Sequence, residues 1–359
     1  MMQNNRQTYI IAEAGVNHNG DRDMAYALID AAVSAGANAV KFQTFNAAGL
    51  ATKNVPKAAY QRHTTGIQDN QATMLRKLEL PLEWHSDLQQ YAANSGITFL
   101  STAFEHDSLE FLQKLDLPLY KIPSGEITNG PLLWAFAQTA RPLILSTGMA
   151  TLGEIEQALA VIAHGLAHNS PPENSQAIWQ CWADEKTRAV LQQRVTLLHC
   201  TSQYPAPLTE VNLNAMNTLT TAFNLRVGYS DHTQGLLVSI AAVAKGASVI
   251  EKHFTLDRSL PGPDHAASLE PEELAQLVKD IRTLETALGE GCKAPQESEW
   301  DTRLAARQSL IAAVPIKKGQ PFTSDNMRTS RVGEGLSPMH YWDRCDQLAE
   351  RDYDKDEPL

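Results

Sequence analysis

The chain has 359 residues, 43% of them hydrophobic and 20% charged, and carries a formal net charge of −11. That is long for one domain and comfortable for two, and it describes a soluble globular protein with a large core. The acidic balance argues against a nucleic-acid partner and means that any anionic substrate must be held by a local positive site. No apolar run reaches the roughly eighteen residues of a membrane span, and Met1 to Gln7 lacks the apolar core of a signal peptide, so no membrane partner and a cytoplasmic location are expected. Cys181, Cys200, Cys292 and Cys345 form no CxxC pair, which fits a reduced compartment without disulfides.

β-rich apolar runs alternate with helical patterns from the start. Tyr9 to Glu13 reads as a strand, Met24 to Ala35 as a helix and Asn38 to Gln43 as the next strand. The polar stretch from Ala47 to Asn70 is too long for a tight connection and reads as a mobile loop over the site. A helix over Leu82 to Asn94 stops at Gly96. The alternation continues with Ile97 to Ser101 (strand), Ser108 to Leu115 (helix), Pro118 to Ile122 (strand) and Pro131 to Thr139 (helix). Next come Pro142 to Ser146 (strand) and Leu152 to Ala163 (helix). Residues 164–193 read as an insertion: a loop at Asn169 to Asn174, then a short helix at Ala183 to Leu191. The series resumes with Val195 to Cys200 (strand), a partly helical return over Leu208 to Phe223, and Arg226 to Tyr229 (strand). Leu236 to Lys245 (helix), Ser248 to Lys252 (strand) and Pro271 to Leu288 (helix) close it. Eight strand–helix units predict a (β/α)8 TIM barrel over 1–288. A polar linker over 289–304 follows, then a small β-rich domain over 305–359.

In such a barrel the reaction site lies at the C-terminal ends of the strands. Those ends are polar here, and stability alone does not explain so many polar groups converging on one mouth. Lys41 and Lys121 supply cations; Ser124, Ser146 and Ser230 supply hydroxyls; Gly125 and Gly148 leave backbone N–H groups accessible. That set suits a phosphate, the plainer alternative for either lysine being a side chain that snorkels to solvent. His232 and His253 end neighbouring strands with carboxylates beside both, and are candidate ligands for a divalent metal such as Mn²⁺ or Zn²⁺. Hydrogen-bonded core histidines are the alternative. Glu13 and Glu126 read as acid/base groups or as partners of the lysines. Asp264, in the turn-rich Gly262-Pro263-Asp264-His265, is expected over the mouth, or else as an exposed turn carboxylate. His18 reads as structural, and His199 as a satisfied core residue.

Several long motifs resemble the sialic acid synthase family. They are Ile11-Ala12-Glu13-Ala14-Gly15-Val16-Asn17-His18-Asn19-Gly20, Lys41-Phe42-Gln43-Thr44-Phe45, Lys121-Ile122-Pro123-Ser124-Gly125-Glu126 and Leu145-Ser146-Thr147-Gly148-Met149. His199-Cys200-Thr201-Ser202-Gln203-Tyr204-Pro205, Ser230-Asp231-His232, Glu251-Lys252-His253-Phe254 and Gly262-Pro263-Asp264 follow in order. The C-terminal segment, with Lys317-Lys318-Gly319 and Ser330-Arg331, resembles the antifreeze-like (SAF) domain that ends these enzymes.

The resemblance implies condensation of phosphoenolpyruvate with an N-acetylated mannose-type sugar. N-acetylmannosamine, giving N-acetylneuraminate, is the first expectation, and 2,4-diacetamido-2,4,6-trideoxymannose, giving N,N'-diacetyllegionaminate, the second. It implies phosphoenolpyruvate on Lys41, Lys121, Ser124, Ser146 and Ser230, and Mn²⁺ or Mg²⁺ on His232 and His253. Glu13, Gln43, Glu126, Tyr204 and Asp264 would face the sugar or the reacting centre. Arg331 would reach the sugar from the partner subunit of a domain-swapped homodimer. Ser202 stands where some members have asparagine, and Ala305 about where one branch has phenylalanine. A Schiff-base aldolase using Lys121, and a carbohydrate-binding protein acting through residues 305–359, stay open as readings of another class.

Overall fold

The computed structural model describes residues 7–50 and 71–359. Eight parallel strands close into a barrel in sequential order, as the alternation predicts. They are β1 (Tyr9–Gly15), β2 (Ala39–Thr44), β3 (Thr98–Ala103), β4 (Tyr120–Ile122), β5 (Leu143–Ser146), β6 (Val195–Cys200), β7 (Arg226–Asp231) and β8 (Val249–His253). Strand β1 pairs with both β2 and β8 and so closes the ring. At the opposite end from the mouth, Arg282 fastens that closure: it donates to the Thr8 carbonyl at 2.9 Å and to Asn38 Oδ1 at 3.0 Å, while Asn38 Oδ1 also accepts from Ile10 N.

The side-chain period of two sorts every strand into an inner and an outer face. Ile11, Ala39, Leu100, Leu119, Ile144, Leu198 and Val249 form an apolar layer inside the barrel. The residue two positions further along each of those strands is Glu13, Lys41, Thr102, Lys121, Ser146, Cys200 or Glu251, and all of these face one cavity. The residues between them, such as Ala12, Val40, Tyr120, Leu145 and Ile250, join the large core between barrel and helices. Strand β7 contributes Gly228 to the apolar layer. A Cβ there would lie 2.7 Å from Leu198 Cδ2 and 2.9 Å from Val249 Cβ, so its neighbours already fill the space.

Helix starts follow local capping chemistry. Asp21 accepts from Met24 N ahead of Arg22–Ser34, and Thr151 and Glu154 form a capping box ahead of Leu152–Ala167. Asn129 caps Gly130–Gln138, with proline in its first turn.

Three expectations change. The helix expected to stop at Ala163 runs to Ala167, because His164 and Gly165 continue the buried stripe of Ala158, Ile162 and Ala163. The following segment holds two capped helices, Ser175–Ala183 on Asn174 and Glu185–Arg194 on Asp184, where one helix was read. Of the loop expected over 47–70, residues Ala47–Leu50 form a single helical turn and 51–70 lie outside the described residues.

The chain divides into two compact units, Met1–Gly289 and Glu290–Leu359. Part of the expected linker is helical, Trp300–Ala306, and belongs to the second unit. That unit pairs β9 (Ser309–Ala312) antiparallel with β10 (Met327–Ser330) and has its own core of Ala312, Ile316, Phe322, Met327, Ala349 and Tyr353. Among the described residues no helix is long and apolar enough to cross a membrane.

Candidate active site

The inner polar layer opens into a cavity of about 470 Å³ at the C-terminal ends of the strands. At its floor lie two lysines and two carboxylates, all buried. Lys41 Nζ is 2.6 Å from Glu13 Oε2, 3.6 Å from Glu251 Oε2 and donates to Thr102 Oγ1 at 2.8 Å. Lys121 Nζ is 3.6 Å from Glu251 Oε1, which also accepts from Ser230 Oγ at 2.8 Å. Burial alone would drive all four groups neutral, and their partners decide the outcome. Burial raises Glu251, but Lys121 and Lys41 overcome it and hold its carboxyl at about 2. Burial pushes Glu13 up to about 7 against the pull of Lys41, and the Glu251 charge adds to the rise. Lys41, with two carboxylates in reach, is raised despite burial. Lys121, with only Glu251 close by, is lowered by burial.

Beside the lysines is a cradle of hydroxyls and backbone amides. Gly148 N donates to Ser124 Oγ at 3.0 Å, and Ser124 Oγ lies 3.3 Å from Cys200 Sγ. Ser146 Oγ is buried without a hydrogen-bond partner. A Cβ on Gly148 would press on Ser202 Oγ and come within 2.9 Å of both Cys200 Sγ and Ser124 Oγ, so a side chain there must displace these groups. The unpaired Ser146 hydroxyl beside two buried lysines makes a site for an oxyanion.

The two histidines meet as the alternation requires, with ring centroids 5.6 Å apart. His232 Nδ1 donates to the Thr201 carbonyl at 2.7 Å, which leaves the Nε2 lone pair free, 3.4 Å from Ser230 Oγ. His253 Nδ1 is buried without a hydrogen-bond partner, 3.9 Å from Asp264 Oδ2. Burial lowers the pKa of both imidazoles, so both are neutral near pH 7. Neutral imidazoles, one of them oriented by a backbone carbonyl, are the donor chemistry a divalent cation needs. Among the described residues no three His, Cys, Asp or Glu side chains are grouped to hold an ion by themselves; the pair fits an ion that also takes oxygens from water or substrate. Tyr204 packs on His232 with centroids 4.1 Å apart and the rings tilted by 34°, and it meets His253 edge-on. Asp264 is buried, not exposed on a turn, and burial raises it to about 6.

One expectation about the histidines is corrected. The carboxylate next to His232 does not face it. Asp231 points to the outer side of β7, where it pairs with Lys252 of β8 at 3.0 Å and accepts from Thr233 N and Ser239 Oγ. Asp231 and Lys252 are register partners, so strand parity turns both away from the mouth.

Gln43 faces the cavity and donates to Glu13 Oε1 at 3.4 Å. Glu126 lines it too and accepts from Asn129 Nδ2 at 2.7 Å. Arg331 lies in the second unit just past β10 and is exposed. His199 donates to the Val211 carbonyl on the outer face of β6, and His18 is buried and accepts from Gly20 N. Sequence reasoning missed Glu251 as the shared counter-ion of both lysines. The signal was available: Glu251 has the same parity as His253 and pairs in register with Ser230.

Fold and cavity together define a barrel enzyme with its site at the strand ends. The chain belongs to the NeuB family, whose sequence pattern matches residues 28–293. It is 47% identical over 352 residues to the N,N'-diacetyllegionaminic acid synthase of Campylobacter jejuni subsp. jejuni serotype O:2, covering 98% of each chain. It is 45% identical over 330 residues to the N,N'-diacetyllegionaminic acid synthase of Legionella pneumophila, covering 92% of this chain and 87% of that one. Among solved structures it resembles N-acetylneuraminic acid (sialic acid) synthetase from Leptospira borgpetersenii serovar Hardjo-bovis. That likeness has a TM-score of 0.68 at 33% identity, over 82% of this chain and 90% of the other.

Proposed function

We propose that the protein condenses phosphoenolpyruvate with open-chain 2,4-diacetamido-2,4,6-trideoxymannose and water, giving phosphate and N,N'-diacetyllegionaminate. The observation that carries the chemistry is one cavity holding two buried lysines around Glu251, a partnerless Ser146 hydroxyl and two neutral imidazoles. N-acetylmannosamine was the first expectation from sequence. The names of the relatives at 47% and 45% identity support the diacetamido sugar instead.

In this reading Lys41, Lys121, Ser124, Ser146 and Ser230 hold the phosphate and carboxylate of phosphoenolpyruvate and stabilise the departing charge. The enol carbon C3 bonds to the aldehyde carbon as the C=O π pair moves to the aldehyde oxygen, which takes up a proton and becomes a hydroxyl, and cationic character is left at C2. Water adds at C2, giving up its proton to a carboxylate among Glu13, Glu126 and Asp264. The tetrahedral carbon then breaks its C–O bond to phosphate, which departs with the electron pair as the new hydroxyl loses its proton and the ketone forms. His232 and His253 would hold a divalent cation, Mn²⁺ or Mg²⁺, which when bound supplies Lewis acidity to the aldehyde oxygen. Gln43, Tyr204 and Asp264 orient the sugar. Arg331 reaches its acetamido group from the partner subunit of a homodimer, the second unit acting as an SAF domain.

A second reading, a Schiff-base aldolase, draws on the lowered pKa of Lys121. One experiment tests both. Phosphate release from phosphoenolpyruvate is followed with Mn²⁺ and each sugar in parallel, and borohydride is added to a matched sample. Release with the diacetamido sugar and no adduct on Lys121 is expected; a trapped adduct overturns the condensation.

A further inference from the structure

The cavity is not polar all the way round. Above β1, β2 and β3 it is faced by Val16, Phe45, Leu50, Met74, Leu75 and Phe104. Val16, Phe45 and Phe104 are the first residues after those three strands. Phe45 and Phe104 meet edge-on with centroids 5.9 Å apart. Val16, Phe45 and Met74 form a buried cluster against which Leu50, Leu75 and Phe104 pack, partly open. This wall is preformed, apolar and continuous with the floor that carries Glu13, Lys41 and Gln43.

We infer that the wall receives the C6 end of the sugar and selects a 6-deoxy sugar over its 6-hydroxy counterpart. The inference rests on the synthase reading and names the residues that set its substrate. Its logic is one of remaining space. The phosphate cradle takes the sector of β4 to β6 with Ser124, Ser146 and Gly148, and the imidazoles take β7 and β8. With the aldehyde held near His232 and His253, the far end of the six-carbon chain is left the sector of β1 to β3. Methyl groups bury against phenylalanine and methionine favourably. A hydroxyl against these six side chains gives up its water and finds no hydrogen-bond partner among them. An apolar pocket discriminates against an added hydroxyl by about 10- to 100-fold.

The test compares kcat/KM for 2,4-diacetamido-2,4,6-trideoxymannose and its 6-hydroxy counterpart, by phosphate release at saturating phosphoenolpyruvate. N-acetylmannosamine is included as a third sugar. The wild type is expected to prefer the 6-deoxy sugar by about 10-fold or more. In Met74→Gln and in Phe104→Tyr, which add a polar group at nearly constant shape, that ratio is expected to fall at least about threefold, with KM for phosphoenolpyruvate unchanged. Equal kcat/KM for the two sugars in the wild type, or a ratio unmoved in both folded variants, overturns the wall and leaves the synthase reading standing. Release with none of the three sugars overturns the synthase reading and the wall with it. If a variant does not fold, the wild-type comparison of the two sugars decides.

Discussion

Replacing Glu251 by glutamine keeps an acceptor for Ser230 and removes the charge that both lysines face. The folded carboxyl titrates at about 2, down from an ordinary 4.5. At 1.36 kcal/mol per unit, that displacement makes the ionised side chain worth about 3 kcal/mol to the folded barrel near neutral pH. Relief of the repulsion between Glu251 and Glu13 returns part of it, so a net loss of about 2–3 kcal/mol is expected at pH 7. A depressed carboxylate stabilises above its unfolded pKa and loses that effect as pH falls toward the folded one. The penalty therefore holds from pH 5 upward and shrinks to about 1 kcal/mol at pH 3. Urea denaturation followed by far-UV circular dichroism at pH 7 and pH 3 measures it. A loss below about 1 kcal/mol at pH 7, or an equal loss at the two pH values, refutes the assignment of Glu251 as the ionised counter-ion of Lys41 and Lys121.

Gly148→Ala puts a methyl against Ser202, Cys200 and Ser124; KM for phosphoenolpyruvate should rise about tenfold or more alongside a stability loss of about 1–3 kcal/mol, and an unchanged KM in folded protein removes Gly148 from the cradle. Asp231→Asn strands Lys252 in a fully buried pair, so about 3 kcal/mol or more of stability should be lost at pH 7 with KM values unmoved in folded protein. His232→Ala should abolish phosphate release, and excess Mn²⁺ should not restore it; full rescue would contradict the role given to the imidazole. Arg331→Ala should weaken the sugar much more than phosphoenolpyruvate, as read from separate KM values, and equal losses would contradict its assignment.

The barrel was legible because two periods alternate along the chain, and the mouth because each strand carries a polar residue two places beyond an apolar one. Lys41, Lys121 and Ser146 follow from that rule alone, and His232 and His253 lie one inward step further, past Ser230 and Glu251. Asp231 was the misreading: adjacency in sequence suggested a carboxylate beside His232, but adjacency in a strand means the opposite face. Residues 175–183 were not legible as a helix, since Asn174 can open a turn as readily as a helix and only Cys181 of that helix is buried. The apolar wall was invisible for a different reason. Val16, Phe45 and Phe104 each look like one more core residue, and only the parallel pairing of β1, β2 and β3 brings these three strand ends together.

Closure of the barrel explains why the floor carries so much charge. Glu251 held at about 2 contributes roughly what Glu13, raised to about 7, costs once both are ionised. From these two groups stability rises with pH until near 4.5, where the unfolded carboxyls ionise, and falls again toward 7 as Glu13 loses its proton. Four buried charges that nearly cancel give the fold little net stability, and an apolar floor of the same volume would serve it as well. Their yield is instead a cavity in which Lys41 stays charged and Glu13 can change protonation near neutral pH, with bound oxyanion expected to shift the balance toward protonated Glu13. The fold supplies the position and the charges supply the chemistry, and the apolar wall opposite gives the same cavity a second, uncharged criterion for what it admits.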